Sequence, residues 1–221
     1  MGTLKITSTD QHGNIIFKDG DEIPRKYGYE NGNVSPPLTI LIPAEARSVA
    51  LIMDDDDALA AVGKVWVHWV IFNMDTKSIL KGGTHNFQIP EGKAVTKPLT
   101  DKQFFGAINK KMRDANKAHL IQTQRERYGQ PSTITNSEGG LWGGLVGLND
   151  FGKFDYGGPA PPSGTHTYKF TVYALKTPRL KLPRFDRDEE VMRPGTKADV
   201  KNDIEDQIIE EATLTGTYYA D

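Results

Sequence analysis

Short apolar runs separated by clusters of Gly, Pro, Asn and Asp set the rhythm of this chain. Such runs, bounded by turn formers and rich in β-branched and aromatic residues, read as strands. Leu4–Thr7 and Ile15–Phe17 are two, divided by a polar turn. Leu38–Ile42 and Val49–Met53 follow an irregular stretch that opens at Asn31-Gly32 and closes at Ser35-Pro36-Pro37. Trp66–Phe72 is the strongest strand, apolar on both faces apart from His68, and Tyr168–Leu175 and Thr213–Tyr219 complete the set. Strands apolar on both faces belong inside a sandwich or a covered sheet. Helical spacing replaces alternation twice. A capping box at Thr100 and Gln103 precedes Phe104, Ile108, Met112 and Ala115 on one stripe. A second, at Thr196 and Asp199, precedes Val200, Ile204, Ile208 and Ala212. Both helices are expected to dock on the sheet core.

Composition narrows the picture. With 221 residues, 37% hydrophobic and 25% charged, the chain has room for a substantial core. No internal repeat or long linker divides it, so one domain, residues 1–221, is expected. Gln130–Gly147 is the best candidate boundary, and it reads as a loop because strands lie on both sides. Twenty-seven basic residues against 29 acidic ones give a net charge of -2, which argues against a nucleic-acid partner. The absence of cysteine excludes disulfides, thiol nucleophiles and cysteine metal sites. Neither a signal-peptide pattern nor a run of about 18 apolar residues is present, so a cytoplasmic protein without stable membrane insertion is expected.

Three elements carry candidate chemistry. Asp54-Asp55-Asp56-Asp57 ends the Val49–Met53 strand, and alternation puts Asp54 and Asp56 on one side, Asp55 and Asp57 on the other. A solvated acidic turn is the plain reading, and the glycine of a calcium loop is missing. His68 interrupts an apolar strand, where a histidine must find hydrogen-bond partners whether or not it acts. The loop Tyr156-Gly-Gly-Pro-Ala-Pro-Pro-Ser-Gly-Thr-His-Thr-Tyr168 delivers His166 and Tyr168 to one face of the next strand. It is either a structural turn or a cradle whose glycine N–H groups and His and Tyr donors suit an oxyanion. The glycine-rich run Gly139–Gly147 lacks the Lys-Ser or Lys-Thr pair of a nucleotide loop and reads as turns and a strand. His12, His85 and His119 read as surface or loop residues.

The acid run after a strand, then Trp66-x-His68-Trp69, then Gly157-x-Pro-x-Pro-Pro-x-Gly-x-His166-x-Tyr168 resembles the phosphatidylethanolamine-binding protein family, which includes Raf kinase inhibitor protein. Asn149-Asp-Phe-Gly-Lys153 and the ending Glu211–Tyr218 are similar to its bacterial and archaeal branch. The likeness covers roughly residues 4–100 and 141–219. It implies a mainly β, sandwich-like fold with a C-terminal helix and one inserted amphipathic helix. The site it implies comprises Asp54, Asp56, Trp66, His68, the Gly158–Pro162 loop with Ala160 and Pro161, His166 and Tyr168. Three departures stand out. The family's Asp-Pro-Asp-x-Pro is read here as Asp54–Ala58 without its prolines. Thr167 replaces an arginine, and the connection from His68 to His166 is long, with a probable insertion at 101–138 carrying the Thr100–Tyr128 helix.

The resemblance implies non-catalytic binding of a phosphorylated or other anionic small group, such as a phospholipid headgroup or phosphopeptide. It also implies regulation of a kinase or protease partner, no cofactor and no metal, and it allows a homodimer. Asp54 would then act as an acceptor that orients an imidazole, with Asp55 and Asp57 turned outward. The alternatives are a hydrolase using water activated by His68 or His166, or by Ser163 as nucleophile, and a pure interaction regulator using the basic face Lys110–Lys117. No Gly-x-Ser-x-Gly elbow, P-loop or His-Glu-x-x-His supports an enzyme. The site reading requires His68 and His166, 98 positions apart, to meet at one cavity.

Overall fold

The computed structural model describes residues 3–76, 86–92, 97–98, 132–135, 141–186 and 191–220. In chain order the strands are β1 (Lys5–Thr9), β2 (Ile15–Phe17), β3 (Leu38–Leu41), β4 (Ser48–Asp55), β5 (Trp66–Asp75), β6 (Asn86–Ile89) and β7 (Lys97–Pro98). They continue with β8 (Ser132–Thr135), β9 (Leu141–Val146), β10 (Thr165–Leu175), β11 (Arg184–Asp186), β12 (Val191–Arg193) and β13 (Ile208–Tyr219). A sheet in the order β2-β1-β3-β6 faces a larger one in the order β13-β10-β4-β5-β9-β8-β7, and β11 and β12 form a separate ribbon. The strand pairs are antiparallel.

The centre of the large sheet, β4 and β5, is buried on both faces, as these doubly apolar strands predict. Val49, Leu51 and Met53 of β4, with Trp69, Ile71, Phe170 and Val172, pack between the sheets against Ile6, Leu38 and Ile40. Ala50, Ile52, Val70, Phe72, Tyr173 and Leu175 face the other way, under Leu180, Leu182, Val200 and Ile204. Two α-helices are present among the described residues, α1 (Ala58–Val62) and α2 (Lys197–Ile204). The box that starts α2 is formed: Thr196 accepts from the Asp199 N–H, and the Asp199 carboxylate accepts from the Thr196 N–H.

The α2 stripe ends sooner than its spacing predicts. A 3-10 turn, Glu205–Gln207, follows Ile204, and Ile208 through Tyr219 form β13. Ile208 still packs on the outer core layer, but from a strand. Pairing from Leu175↔Ile208 to Thr165↔Tyr219 along β10 satisfies the backbone of the whole segment. The β-branched Ile208, Ile209, Thr213, Thr215 and Thr217 favour that outcome over another helical turn.

The Thr100–Tyr128 helix, with its Lys110–Lys117 face, and His85 and His119 lie outside the described residues. Within the expected insertion 101–138, β8 pairs with both β7 and β9. Gln130–Gly147 is therefore not simply a loop, since it contributes β8 and β9. The alternation Ser132-Thr-Ile-Thr135 was the available signal. Deleting 101–131 through a short glycine linker is expected to leave cooperative thermal unfolding. Extending the deletion to 138 removes β8 and is expected to lower the midpoint by about 5 °C or more, for a loss on the order of 2 kcal/mol. Equal midpoints for the two deletions would contradict this placement of β8.

Candidate functional site

His68 reaches the space between the sheets because β5 carries a bulge. Met53 pairs with Trp69 while Asp54 pairs with Val67, so one step along β4 spans two along β5. Val67 packs outward. His68 and Trp69 consequently share the inner face, and the His68 ring stands edge-on to Tyr168 at 5.1 Å. The bulged backbone is satisfied by the segment after β9. Val67 N–H donates to Asp150 Oδ2 at 2.8 Å and Val67 O accepts from the Asp150 N–H at 2.9 Å. The Gly157 N–H and the Asn149 amide both donate to His68 O, at 3.0 and 3.3 Å.

The His68 side chain is held by the same segment. Its Nδ1 lies 2.8 Å from Gly157 O and 3.0 Å from Gly158 O. Carbonyl oxygens only accept, so Nδ1 carries the proton. Burial pushes the ring's pKa below its usual value, outweighing the carbonyls and the Asp55 and Asp150 charges that act the other way. The glycines thus serve a purpose other than the expected one. The Gly157 N–H is spent on His68 O and the Gly158 N–H on Asn33 Oδ1 at 2.7 Å, so neither is offered to a ligand. A Cβ on Gly158 would lie 2.2 Å from Tyr27 O, and one on Gly157 would lie 2.4 Å from the Phe151 ring. Close packing is what demands glycine here.

The acid at the site is Asp55, not Asp54. Val49, Leu51 and Met53 face inward, and Asp55 continues that row. Its Oδ2 lies 2.7 Å from His166 Nδ1, and its Oδ1 accepts from the Ala58 N–H at 3.1 Å. His166 and Tyr168 share one face of β10, as predicted, and Tyr168 pairs with Asp55 across the ladder. Asp55, His68, His166 and Tyr168 are all under 8% exposed. The Tyr168 hydroxyl is sealed from solvent without a well-formed hydrogen bond, though it feels both the Asp55 carboxylate and the Ala160 backbone. Burial raises its pKa, so it stays a neutral hydroxyl. Neither His68 Nε2 nor His166 Nε2 has a protein partner among the described residues, and neither is sealed off.

The remaining carboxylates of the run do structural work elsewhere. Asp54 points outward, its Oδ2 2.7 Å from Lys197 Nζ at the start of α2 and its Oδ1 buried without a partner. Burial raises its pKa in spite of Lys197. Asp56 is exposed and paired with Lys169. Asp57 is also exposed, not turned inward, and accepts from the Thr167 N–H at 2.7 Å.

Trp66 stands at the rim, edge-on to Phe151 at 5.5 Å and beneath Lys64 Nζ at 4.8 Å. Phe151 also stacks on Tyr29 at 4.4 Å and meets the His68 ring edge-on at 5.4 Å. Sequence reasoning assigned no role to Phe151 or Tyr29. Ala160, Pro161 and Pro162 line a recess of about 310 Å³ with Asn31, Tyr218 and Tyr219, and neither histidine lines it. Within the loop it is the Gly157–Gly158 end that touches an imidazole.

Two outcomes follow from this packing. Gly158→Ala is expected to destabilise by on the order of 3 kcal/mol, measured by chemical denaturation, because the contacts it would violate are backbone atoms. Wild-type stability near that of the variant would refute the close approach. His68 is neutral in the fold and takes a proton readily when unfolded. Stability should therefore fall as pH drops below about 6.5, by up to about 1.4 kcal/mol per pH unit, until the buried ring itself protonates. Asp54 acts in the opposite sense: its raised pKa adds stability at acid pH that is lost as pH rises through its folded-state titration. His68→Gln should flatten the decline between about pH 6.5 and 5, and an unchanged slope would contradict it.

Comparison with known proteins agrees with this architecture. The family model described as phosphatidylethanolamine-binding protein matches residues 14–132 and 109–219. A protein of Methanothermobacter thermautotrophicus named UPF0098 is 32% identical over 204 residues, covering 91% of this chain and 93% of the relative. A UPF0098 protein of Pyrococcus abyssi is 30% identical over 207 residues, 92% of this chain and 82% of its own length. Among solved structures, a phosphatidylethanolamine-binding-protein homologue from Chlamydia trachomatis superposes with a TM-score of 0.58 at 23% identity, over 100% of both chains. YbcL of Escherichia coli does so with a TM-score of 0.60 at 22% identity, over 100% of this chain and 99% of its own. The chain belongs to the phosphatidylethanolamine-binding protein family.

Proposed function

We propose that the space bordered by His68, His166, Asp55 and Tyr168 binds a phosphorylated or otherwise anionic small group without transforming it. The observation that carries this reading is the pair of buried imidazoles, each tied through Nδ1 to a fixed acceptor and each leaving Nε2 for a ligand. When protonated, His166 offers a charge-assisted donor whose counter-charge, Asp55, is already in place. Nothing favours Ser163 as a hydrolytic nucleophile, since it is exposed on the loop and hydrogen-bonds to neither imidazole. A phospholipid headgroup and a phosphopeptide share the phosphoryl chemistry, and occupancy by either would alter how the rim of Trp66, Phe151 and Tyr29 meets a partner such as a kinase or protease. No helix among the described residues is long and apolar enough to cross a membrane. We place the protein in the cytoplasm, as a monomer or homodimer.

The test is calorimetric titration with inorganic phosphate and phosphoethanolamine. His166→Ala is expected to weaken binding by roughly tenfold to a hundredfold, as for loss of a hydrogen bond to a charged group. His12→Ala, on the β1–β2 turn, should change nothing. Equal affinity in wild type and His166→Ala would refute the site.

A further inference from the structure

We propose that this site, if it holds an oxyanion as inferred above, selects one that carries a proton, so that phosphate and phosphomonoesters are accepted while sulfate and phosphodiesters are refused. The selection comes from His68. Its Nδ1 is within hydrogen-bond distance of two carbonyl oxygens and of no other acceptor or donor. In the folded state those carbonyls are held in place, because the Gly157 N–H is bound to His68 O and the Gly158 N–H to Asn33 Oδ1. The neutral ring is therefore locked in the Nδ1–H tautomer. Its Nε2 presents a lone pair to the ligand.

The groups facing the ring are Asp55 from β4, Tyr168 from β10, and Phe151 and Asp150 from the segment after β9. The two carboxylates favour a charged ring, and burial at 2% exposure between aromatic faces overrides them. An unprotonated oxygen set against His68 Nε2 would place lone pair against lone pair. A P–OH group donates to it instead. The unprotonated oxygens of the same phosphoryl group then turn to His166. The loop cannot relieve the mismatch for a bare anion, since its glycine N–H groups are already spent. A site with one obligatory acceptor and a nearby donor matches a hydrogen-phosphate monoanion. A phosphomonoester, whose second pKa is about 6, supplies that form at mildly acidic pH, whereas a lipid headgroup, being a diester, has no P–OH to give.

Two measurements on the full-length wild-type chain test this. Calorimetric titration at pH 6 compares inorganic phosphate, methyl phosphate, dimethyl phosphate and sulfate. Phosphate and methyl phosphate are expected to bind at least about tenfold more tightly than the other two, the scale of one buried hydrogen bond made against one refused. Their affinity should fall between pH 6 and 8, with proton uptake visible as a dependence of the heat on the buffer's ionisation enthalpy. Sulfate and dimethyl phosphate binding as tightly as phosphate would overturn the inference while leaving the anion site standing. Failure of all four to bind would overturn the anion reading, and the inference with it. Nitrogen-15 spectra of the imidazoles supply an independent reading: His68 is expected as the Nδ1–H tautomer at pH 6, and an Nε2–H or imidazolium signature would overturn the selection mechanism.

Discussion

One extra residue in β5, opposite the Met53–Asp54 step of β4, determines where everything else at the site must be. Without it, His68 would alternate onto the outer face beside Val67 and Val70. With it, His68 turns inward and its own backbone carbonyl and that of Val67 are left without ladder partners. The segment from Asn149 to Gly158 exists in its observed course because it satisfies those groups and then delivers two carbonyls to the imidazole. Buried backbone polar groups that go unpaired cost about 1–3 kcal/mol each, so bulge and loop are interdependent. Phe151 and the two glycines complete the fit by excluding any side chain from the same volume.

The acidic run is tolerated because each of its four members has a different partner. Asp55 goes to His166, Asp54 to Lys197, Asp56 to Lys169 and Asp57 to a backbone N–H. The exposed pair Asp56–Lys169 adds little stability. Asp54 is different: a buried carboxylate with one oxygen unpartnered is an expense that Lys197 only partly offsets. Its placement ties the start of α2 to the end of β4, directly behind the site.

How much of this was legible in the residues depends on which physical signal each feature emits. The strands were readable because burial on both faces leaves unbroken apolar runs, and the box at Thr196 because capping needs particular side chains at particular spacing. The pairing of His166 with Tyr168 on one face followed from a two-residue period. That same period could not say which carboxylate faced inward. Val49–Met53 is apolar on both sides, so nothing in it marks the inner face, on which the structure puts Asp55 and not Asp54. The bulge was equally silent, being a matter of register against a partner strand. Ile208 shows the converse case. Its spacing fits helix and its burial was anticipated, yet sheet pairing with Leu175 decided its backbone. The glycines Gly157 and Gly158 signalled a special backbone correctly, but whether a glycine offers its N–H or merely admits a neighbour is settled only by the neighbour.

β10 forms ladders with β13 on one side and β4 on the other along nearly its whole length. A strand paired on both edges exchanges its amide hydrogens at a cost near that of global opening, whereas a segment outside the ladders opens more cheaply. The two imidazoles are thereby attached to parts of the protein with different lifetimes. His166 and its carboxylate partner span the β10–β4 ladder and persist until the fold is lost. The carbonyl clamp on His68 belongs to a glycine- and proline-rich segment outside the ladders, whose local opening is expected to cost less than global unfolding. Between these limits lies a partly opened form in which the Asp55–His166 pair is preserved and the tautomer of His68 is free to change.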